Sequence, residues 1–126
     1  MITIQEFYPT YSEELISKLE ELQNLIWTVA KEQKKTISES SKWGQLSIVS
    51  EDGTPIRIAK FSDNEIALFV HCQTTLIETW KNLFPDRLSF SGNRAVIVSV
   101  DSPLPASELQ VCIDMALNYH ARNKRL

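Results

Sequence analysis

Three short apolar segments between residues 45 and 71 constrain the fold more than any other part of this sequence. They run from Gln45 to Ser50, from Ile56 to Phe61 and from Glu65 to His71. Glu51-Asp52-Gly53 separates the first pair, and Asp-Gly is typical of a tight hairpin because glycine takes a positive φ at little cost. Ser62-Asp63-Asn64 separates the second pair. Because these connections are too short for a helical crossover, the sequence predicts a three-strand antiparallel meander.

Amphipathic patterns on both sides of the meander predict helices. Thr10 and Glu13 have the spacing of a capping box, and the apolar residues that follow recur every three or four positions to about Lys34. Thr75 and Glu78 repeat the capping-box spacing. The sequence therefore predicts a long first helix and a second helix that ends before Pro85.

The rest of the chain predicts one more hairpin and a closing helix. Leu88 to Phe90 and Arg94 to Val100 read as its strands, and Pro105 suits the first turn of the last helix. The inward stripe of that helix is predicted to contain Leu109, Cys112, Ile113, Ala116 and His120. The polar segment 36–42 is predicted to be a connection with at most one short helical turn. The expected fold is α+β: helix, three-strand antiparallel meander, helix, β-hairpin and helix, with an antiparallel sheet of about five strands packed with helices.

The third strand of the meander is apolar on both sides. Ile66 and Leu68 share one face, whereas Ala67 and Phe69 share the other. We therefore expect a central strand that is covered on both faces. We favour cover of the second face by the second and third helices, and the alternative is a homodimer through that sheet face.

Size and charge restrict the class of protein. The chain has 126 residues and a formal charge of -3, so it lacks the basic stripe that nucleic-acid binding needs. No signal peptide or long apolar run is evident, which predicts a cytoplasmic protein without a membrane partner. We expect a single domain over 1–126, with an entry segment at 1–9, a basic tail at 122–126, and Cys72 and Cys112 as buried free thiols.

From Glu39 to Tyr119 the chain resembles the YdhG-like family, bacterial domains of unknown function. The features that carry the resemblance are Glu39, Trp43-Gly44, the Asp-Gly hairpin, the apolar strand 66–70, the helix after Thr74-Thr75, Arg94, Ala116 and Tyr119. Family members usually have a proline shortly after the Trp-Gly pair, where this chain has Gln45-Leu46. The resemblance implies the α+β fold and a cytoplasmic binding or interaction domain that is not catalytic. The resemblance also implies a possible role in iron handling, because some relatives are described as similar to frataxin.

The acidic first helix is where an iron site would lie. Glu13 and Glu20, and likewise Glu14 and Glu21, are seven positions apart and share an outer helix face. Hard cations prefer clustered carboxylates. The first alternative function is therefore a frataxin-like iron-binding chaperone, although a charged face of this kind is more often only solvated. No cofactor other than iron is expected, because the motifs of nucleotide binding and hydrolysis are absent.

The second sheet face offers another alternative, a site for a small molecule or a protein partner. By strand parity Arg57, Phe69 and His71 share this face, and Trp43 can form one wall. An apolar groove with a few polar groups at its rim is the usual composition of a ligand site. The opposing interpretation is that helices cover this face and that Arg57 is only an edge charge.

Overall fold

The computed structural model describes the backbone of residues 1–124 and confirms the predicted α+β class. In chain order the helices and strands are α1 (Ile4–Phe7), α2 (Glu13–Glu32), β1 (Ile37–Lys42), β2 (Gln45–Ser50), β3 (Ile56–Ser62), β4 (Glu65–Phe69), α3 (Leu76–Leu83), β5 (Ser89–Ser91), β6 (Ala95–Ser99), α4 (Ala106–Leu117) and α5 (Tyr119–Lys124). Of the predicted basic tail, 122–126, only the backbone as far as Lys124 falls within this range.

One antiparallel sheet of six strands organises the molecule, in the order β1-β2-β3-β4-β6-β5. The first four strands form a meander, one strand longer than the predicted one. β4 lies between β3 and β6, and Ile66, Ala67 and Leu68 are all fully buried. The prediction of a central β4 is therefore confirmed, and residues on both of its faces are buried.

The strand that was not predicted is β1, because the sequence indicated a connection over 36–42. It pairs with β2 along its whole length, from Ile37 opposite Ser50 to Lys42 opposite Gln45. The Glu39 carboxylate accepts hydrogen bonds from the backbone N–H of Ile2, from Gln23 Nε2 at 3.0 Å and from Trp27 Nε1 at 2.8 Å. These bonds join β1 to α2 and to the N-terminus. A polar segment thus becomes a strand because ladder bonds and this one carboxylate outweigh its weak strand propensity.

Two helix boundaries differ from the prediction. Ser12, not Thr10, caps α2, because its Oγ accepts from the Leu15 N–H at 3.3 Å. α2 therefore spans 20 residues, about 30 Å at 1.5 Å per residue. At the other end of the chain α4 stops at Leu117, and His120, predicted to face inward, is exposed on α5.

The helices pack on one face of the sheet, which corrects the expectation that two of them cover the second face. The core cluster that contains the helix side chains also contains alternate strand residues such as Ile58, Leu68 and Val96. Residues of opposite parity, Ala67, Ala95 and Ile97, form a separate small cluster with Phe69 and without any helix residue. Within residues 1–124, no helix therefore covers the second face of the sheet. No helix within residues 1–124 is long and apolar enough to cross a membrane.

Candidate functional site

A cationic cleft lies where the second face of the sheet meets the turn after β1. A cavity of about 330 Å³, here called the arginine cavity, is lined by Trp43, Arg57, His71, Cys72 and Arg94. A neighbouring cavity of about 230 Å³, here called the proline cavity, is lined by Lys42, Trp43, Ser47, Pro55, Arg57 and His71. Because Trp43, Arg57 and His71 line both, the two cavities adjoin each other, and together they are here called the Trp43 cleft.

Trp43 reaches the cleft from a strained turn. Trp43 and Gly44 join β1 to β2 with φ of 57° and 75°, the two positive values of a type I′ hairpin turn. Glycine adopts this conformation freely, but a bulky side chain rarely does. Trp43 is also 89% exposed, so packing does not compensate for the strain. Strain of this kind is characteristic of binding and catalytic sites, where the required position of a side chain outweighs its conformational cost.

Replacing Trp43 with asparagine is expected to stabilise the protein. The left-handed conformation costs a non-glycine residue about 1–2 kcal/mol, and asparagine tolerates it better than most residues. Asn-Gly is moreover a preferred pair in type I′ turns. We expect Trp43→Asn to raise the free energy of unfolding by about 1 kcal/mol, as measured by urea denaturation.

Lys34 supplies the matched control. It follows α2 with a φ of 56° and lines neither cavity of the cleft. Lys34→Asn should therefore give a similar gain in stability without a change in the cleft. A loss of stability in Trp43→Asn would show that the indole makes contacts that outweigh the strain.

Arg57 is held in place by two neighbours. Its Nη1 donates to Gln45 Oε1 at 3.1 Å, and its guanidinium carbon lies 5.6 Å from the centre of the Phe69 ring. The Arg57 side chain thus lies over an aromatic face, as a guanidinium commonly does. Gln45 therefore orients the positive charge of Arg57 in the cleft. In the resembled family a proline usually stands in this region.

The remaining polar groups of the cleft add positive charge and a donor. Arg94 precedes β6 and is exposed, and Lys42 ends β1. His71 Nδ1 accepts from the Gln73 N–H at 3.1 Å, which in a neutral ring places the proton on Nε2. No Asp or Glu is among the residues that line the two cavities, and within the described part of the chain no ion pair engages Lys42, Arg57 or Arg94.

The structure brings together the three residues grouped by strand parity and Trp43, which was expected to form a wall of the site. Trp43, Arg57 and His71 line the cleft, and Phe69 lies beside Arg57. Sequence reasoning missed Arg94, because only the pairing of β4 with β6 places it there. In the structure the Val70 N–H extends this strand pairing by donating to the Arg94 carbonyl at 2.8 Å, which brings Arg94 beside His71 and Cys72.

The two cysteines occupy different environments. Cys112 is fully buried in α4, and this burial raises the pKa of its thiol to about 12. Cys72 is only partly buried and lines the arginine cavity, contrary to the expectation that both thiols are in the core. Only the Cys72 thiol is therefore placed to contact a molecule in the cleft.

Three of the four acidic residues proposed as iron ligands on α2 lie around one depression. Glu13, Glu14 and Glu21 line a shallow depression with Lys18, whereas Glu20 does not. Lys18 Nζ lies 3.1 Å from Glu21 Oε2 and donates to the Ser102 carbonyl at 2.9 Å. Among the residues that the structure describes, no group of three or more His, Cys, Asp or Glu side chains could hold a metal ion. Iron binding on α2 thus stays a prediction from the sequence.

Comparison with protein-family models, with curated proteins and with solved structures found no match to this chain. The resemblance to the YdhG-like family accordingly rests on the sequence features alone.

Proposed function

We propose that this protein is a binding domain that holds a small anionic group in the arginine cavity of the Trp43 cleft. The observation that carries the proposal is the convergence of Arg57, Arg94 and His71 on one concave site without a lining carboxylate. This cationic site belongs to a chain whose net charge is -3, so its charge is local and not a property of the whole surface.

Arginine suits such a ligand because its planar guanidinium donates two parallel hydrogen bonds to a phosphate or a carboxylate. Arg57 is already oriented by Gln45 and Phe69, which lowers the entropy lost when an anion binds. Hydrogen bonds to charged groups contribute about 1.5–3 kcal/mol each. Two arginines are thus sufficient for a Kd on the order of 1 mM for inorganic phosphate, since this affinity corresponds to about 4 kcal/mol.

Arg94→Gln is expected to weaken phosphate binding about tenfold, the equivalent of one charge-assisted hydrogen bond. Arg94 is exposed, so the variant should fold as the wild type does. The measurement is a titration of the 15N-labelled protein with inorganic phosphate at constant ionic strength. In the wild type the largest amide shifts should fall at Trp43, His71 and Arg94.

Arg87→Gln is the matched control, because Arg87 is also exposed but lines a different cavity, beside Pro103. It should bind phosphate as the wild type does. The proposal is overturned if phosphate shifts amides throughout the protein without saturation, or if Arg94→Gln and Arg87→Gln weaken binding equally.

A further inference from the structure

The Trp43 cleft has two chemically different halves. The arginine cavity is lined by two arginines, whereas most of the surface of the proline cavity is apolar and includes Trp43 and Pro55, with Lys42 and Arg57 also in its lining. Trp43, Arg57 and His71 line both halves. A molecule that fills the cleft must therefore present an anionic group on one side and an apolar surface directly beside it.

We infer that the ligand is a small aromatic anion, in which the phosphate or carboxylate lies in the arginine cavity and the attached ring lies in the proline cavity against Trp43. This inference rests on the proposed function, because the anionic group is the one assigned to Arg57 and Arg94. It adds the class of molecule that carries the group.

The conformation of Trp43 supports an aromatic ligand over a purely aliphatic one. Trp43 lines both cavities from a backbone at positive φ, and its indole is exposed, so a second ring can reach it. Offset stacking of two planar rings is favourable beyond the area that they bury. Inorganic phosphate in the arginine cavity would leave Pro55, which lines only the proline cavity, without a contact.

The dimensions also limit the ligand. The arginine cavity, at about 330 Å³, is near the lower end of the range for small-molecule sites, and the proline cavity is smaller. Each half therefore accommodates one group of modest size, such as a phosphate on one side and a single ring on the other. A nucleic-acid strand is disfavoured by the negative net charge of the chain.

The test compares phenyl phosphate with methyl phosphate, which carry the same anionic group. We expect the wild type to bind phenyl phosphate about tenfold more tightly, as stacking on an aromatic side chain usually provides. In Trp43→Asn this preference should disappear, so that the two phosphates bind with equal affinity. Trp43→Tyr should keep most of the preference, and Lys34→Asn should keep all of it. NMR titration gives the affinities and shows whether the ring shifts the Trp43 indole N–H.

The outcomes separate this inference from the proposed function. Equal affinity of the wild type for the two phosphates would overturn the aromatic ligand and leave anion binding intact. Persistence of the preference in Trp43→Asn would place the ring elsewhere and would also overturn the inference. Absence of binding by either phosphate would overturn anion binding and the aromatic ligand together.

Discussion

Gly53→Ala is expected to destabilise the protein by about 3 kcal/mol, which is at the upper end of the usual cost of overpacking. A Cβ at this position would lie 2.7 Å from the Ala116 carbonyl oxygen, 2.7 Å from Ser50 Oγ and 2.8 Å from the Leu117 carbonyl oxygen. Two of these atoms belong to the backbone at the end of α4, so they cannot move aside as a flexible side chain can. Chemical denaturation measures the loss.

Gly92→Ala is the control for this prediction. Gly92 has a φ of 55°, but a Cβ there would meet nothing within 4 Å. Its substitution should cost only about 1–2 kcal/mol, from the left-handed backbone alone. If Gly53→Ala costs no more than Gly92→Ala, the close approach at Gly53 does not limit stability.

The Gly53 contact matters because it joins two distant parts of the chain. The Thr54 N–H donates to the Ala116 carbonyl at 3.0 Å, and Ser50 Oγ donates to the Leu117 carbonyl at 2.6 Å. The Asp52 carbonyl accepts from the His120 N–H at 2.8 Å. The turn between β2 and β3 thus provides hydrogen-bond partners for backbone carbonyls at the end of α4 and for backbone N–H groups at the start of α5.

Local patterns predicted the position of this hairpin but not the reason for its glycine. Asp52-Gly53 was expected to supply a positive φ, whereas within residues 1–124 the positive φ values are those of Lys34, Trp43, Gly44 and Gly92. Gly53 is required instead by the approach of α4, a contact between residues more than 60 positions apart. A sequence contains no local signal for such a contact.

The difference between local sequence patterns and contacts between distant residues also explains which strands were predicted and which were missed. β4 was recognised as central because Ile66 to Phe69 are apolar on both faces, and that pattern is local. β1 was missed because Ser38, Ser40 and Ser41 lack the alternation of a half-buried strand. Its place depends on the ladder with β2 and on the bonds that Glu39 receives from α2. These are tertiary interactions, and propensity does not encode them.

For the Trp43 cleft, strand parity was sufficient to group Arg57, Phe69 and His71. It did not reveal that the second face lacks helical cover, because the apolar stripes of α3 and α4 fit either side of a sheet equally well. The choice is made by packing, since both helices share one core cluster with α2. The cleft is open as a consequence of that choice.

A second large effect is expected at Tyr8, whose hydroxyl bridges two strands. It donates to the Ile58 carbonyl at 2.5 Å and accepts from the Leu46 N–H at 2.8 Å. Leu46 and Ile58 lie opposite each other in the β2–β3 register. The phenol therefore substitutes for a direct ladder bond between them.

Tyr8→Phe should lower the free energy of unfolding at neutral pH by about 2 kcal/mol, because it leaves a buried N–H and a buried carbonyl without a partner. Tyr11→Phe is the comparison. The Tyr11 ring stacks on that of Tyr8, but its hydroxyl accepts only a longer bond of 3.3 Å from the Lys60 N–H. Its removal should cost less than about 0.5 kcal/mol. A cost below 1 kcal/mol for Tyr8→Phe would mean that the two strands close up and pair directly.

The raised pKa of the Tyr8 hydroxyl predicts a loss of stability at alkaline pH. Burial raises the pKa of Tyr8 from 10.0 to about 12, because the phenolate would lose its hydration; the Leu46 N–H opposes this shift in part, and Tyr11 adds to it. Below pH 10 the hydroxyl is protonated in both the folded and the unfolded protein, and its contribution is complete. Between pH 10 and pH 12 only the unfolded state releases the proton, so stability falls as pH rises, by about 3 kcal/mol in all.

Comparison of the wild type with Tyr8→Phe at each pH isolates this loss. The buried Cys112 thiol, whose pKa is also raised to about 12, titrates in both proteins and cancels in the difference. The stability advantage of the wild type should therefore shrink, and then reverse, as the pH rises from 10 to 12. An advantage that stays constant over that range would show that the phenol of Tyr8 ionises in the folded protein as readily as in the unfolded chain, so that the bridge between Leu46 and Ile58 does not depend on its proton.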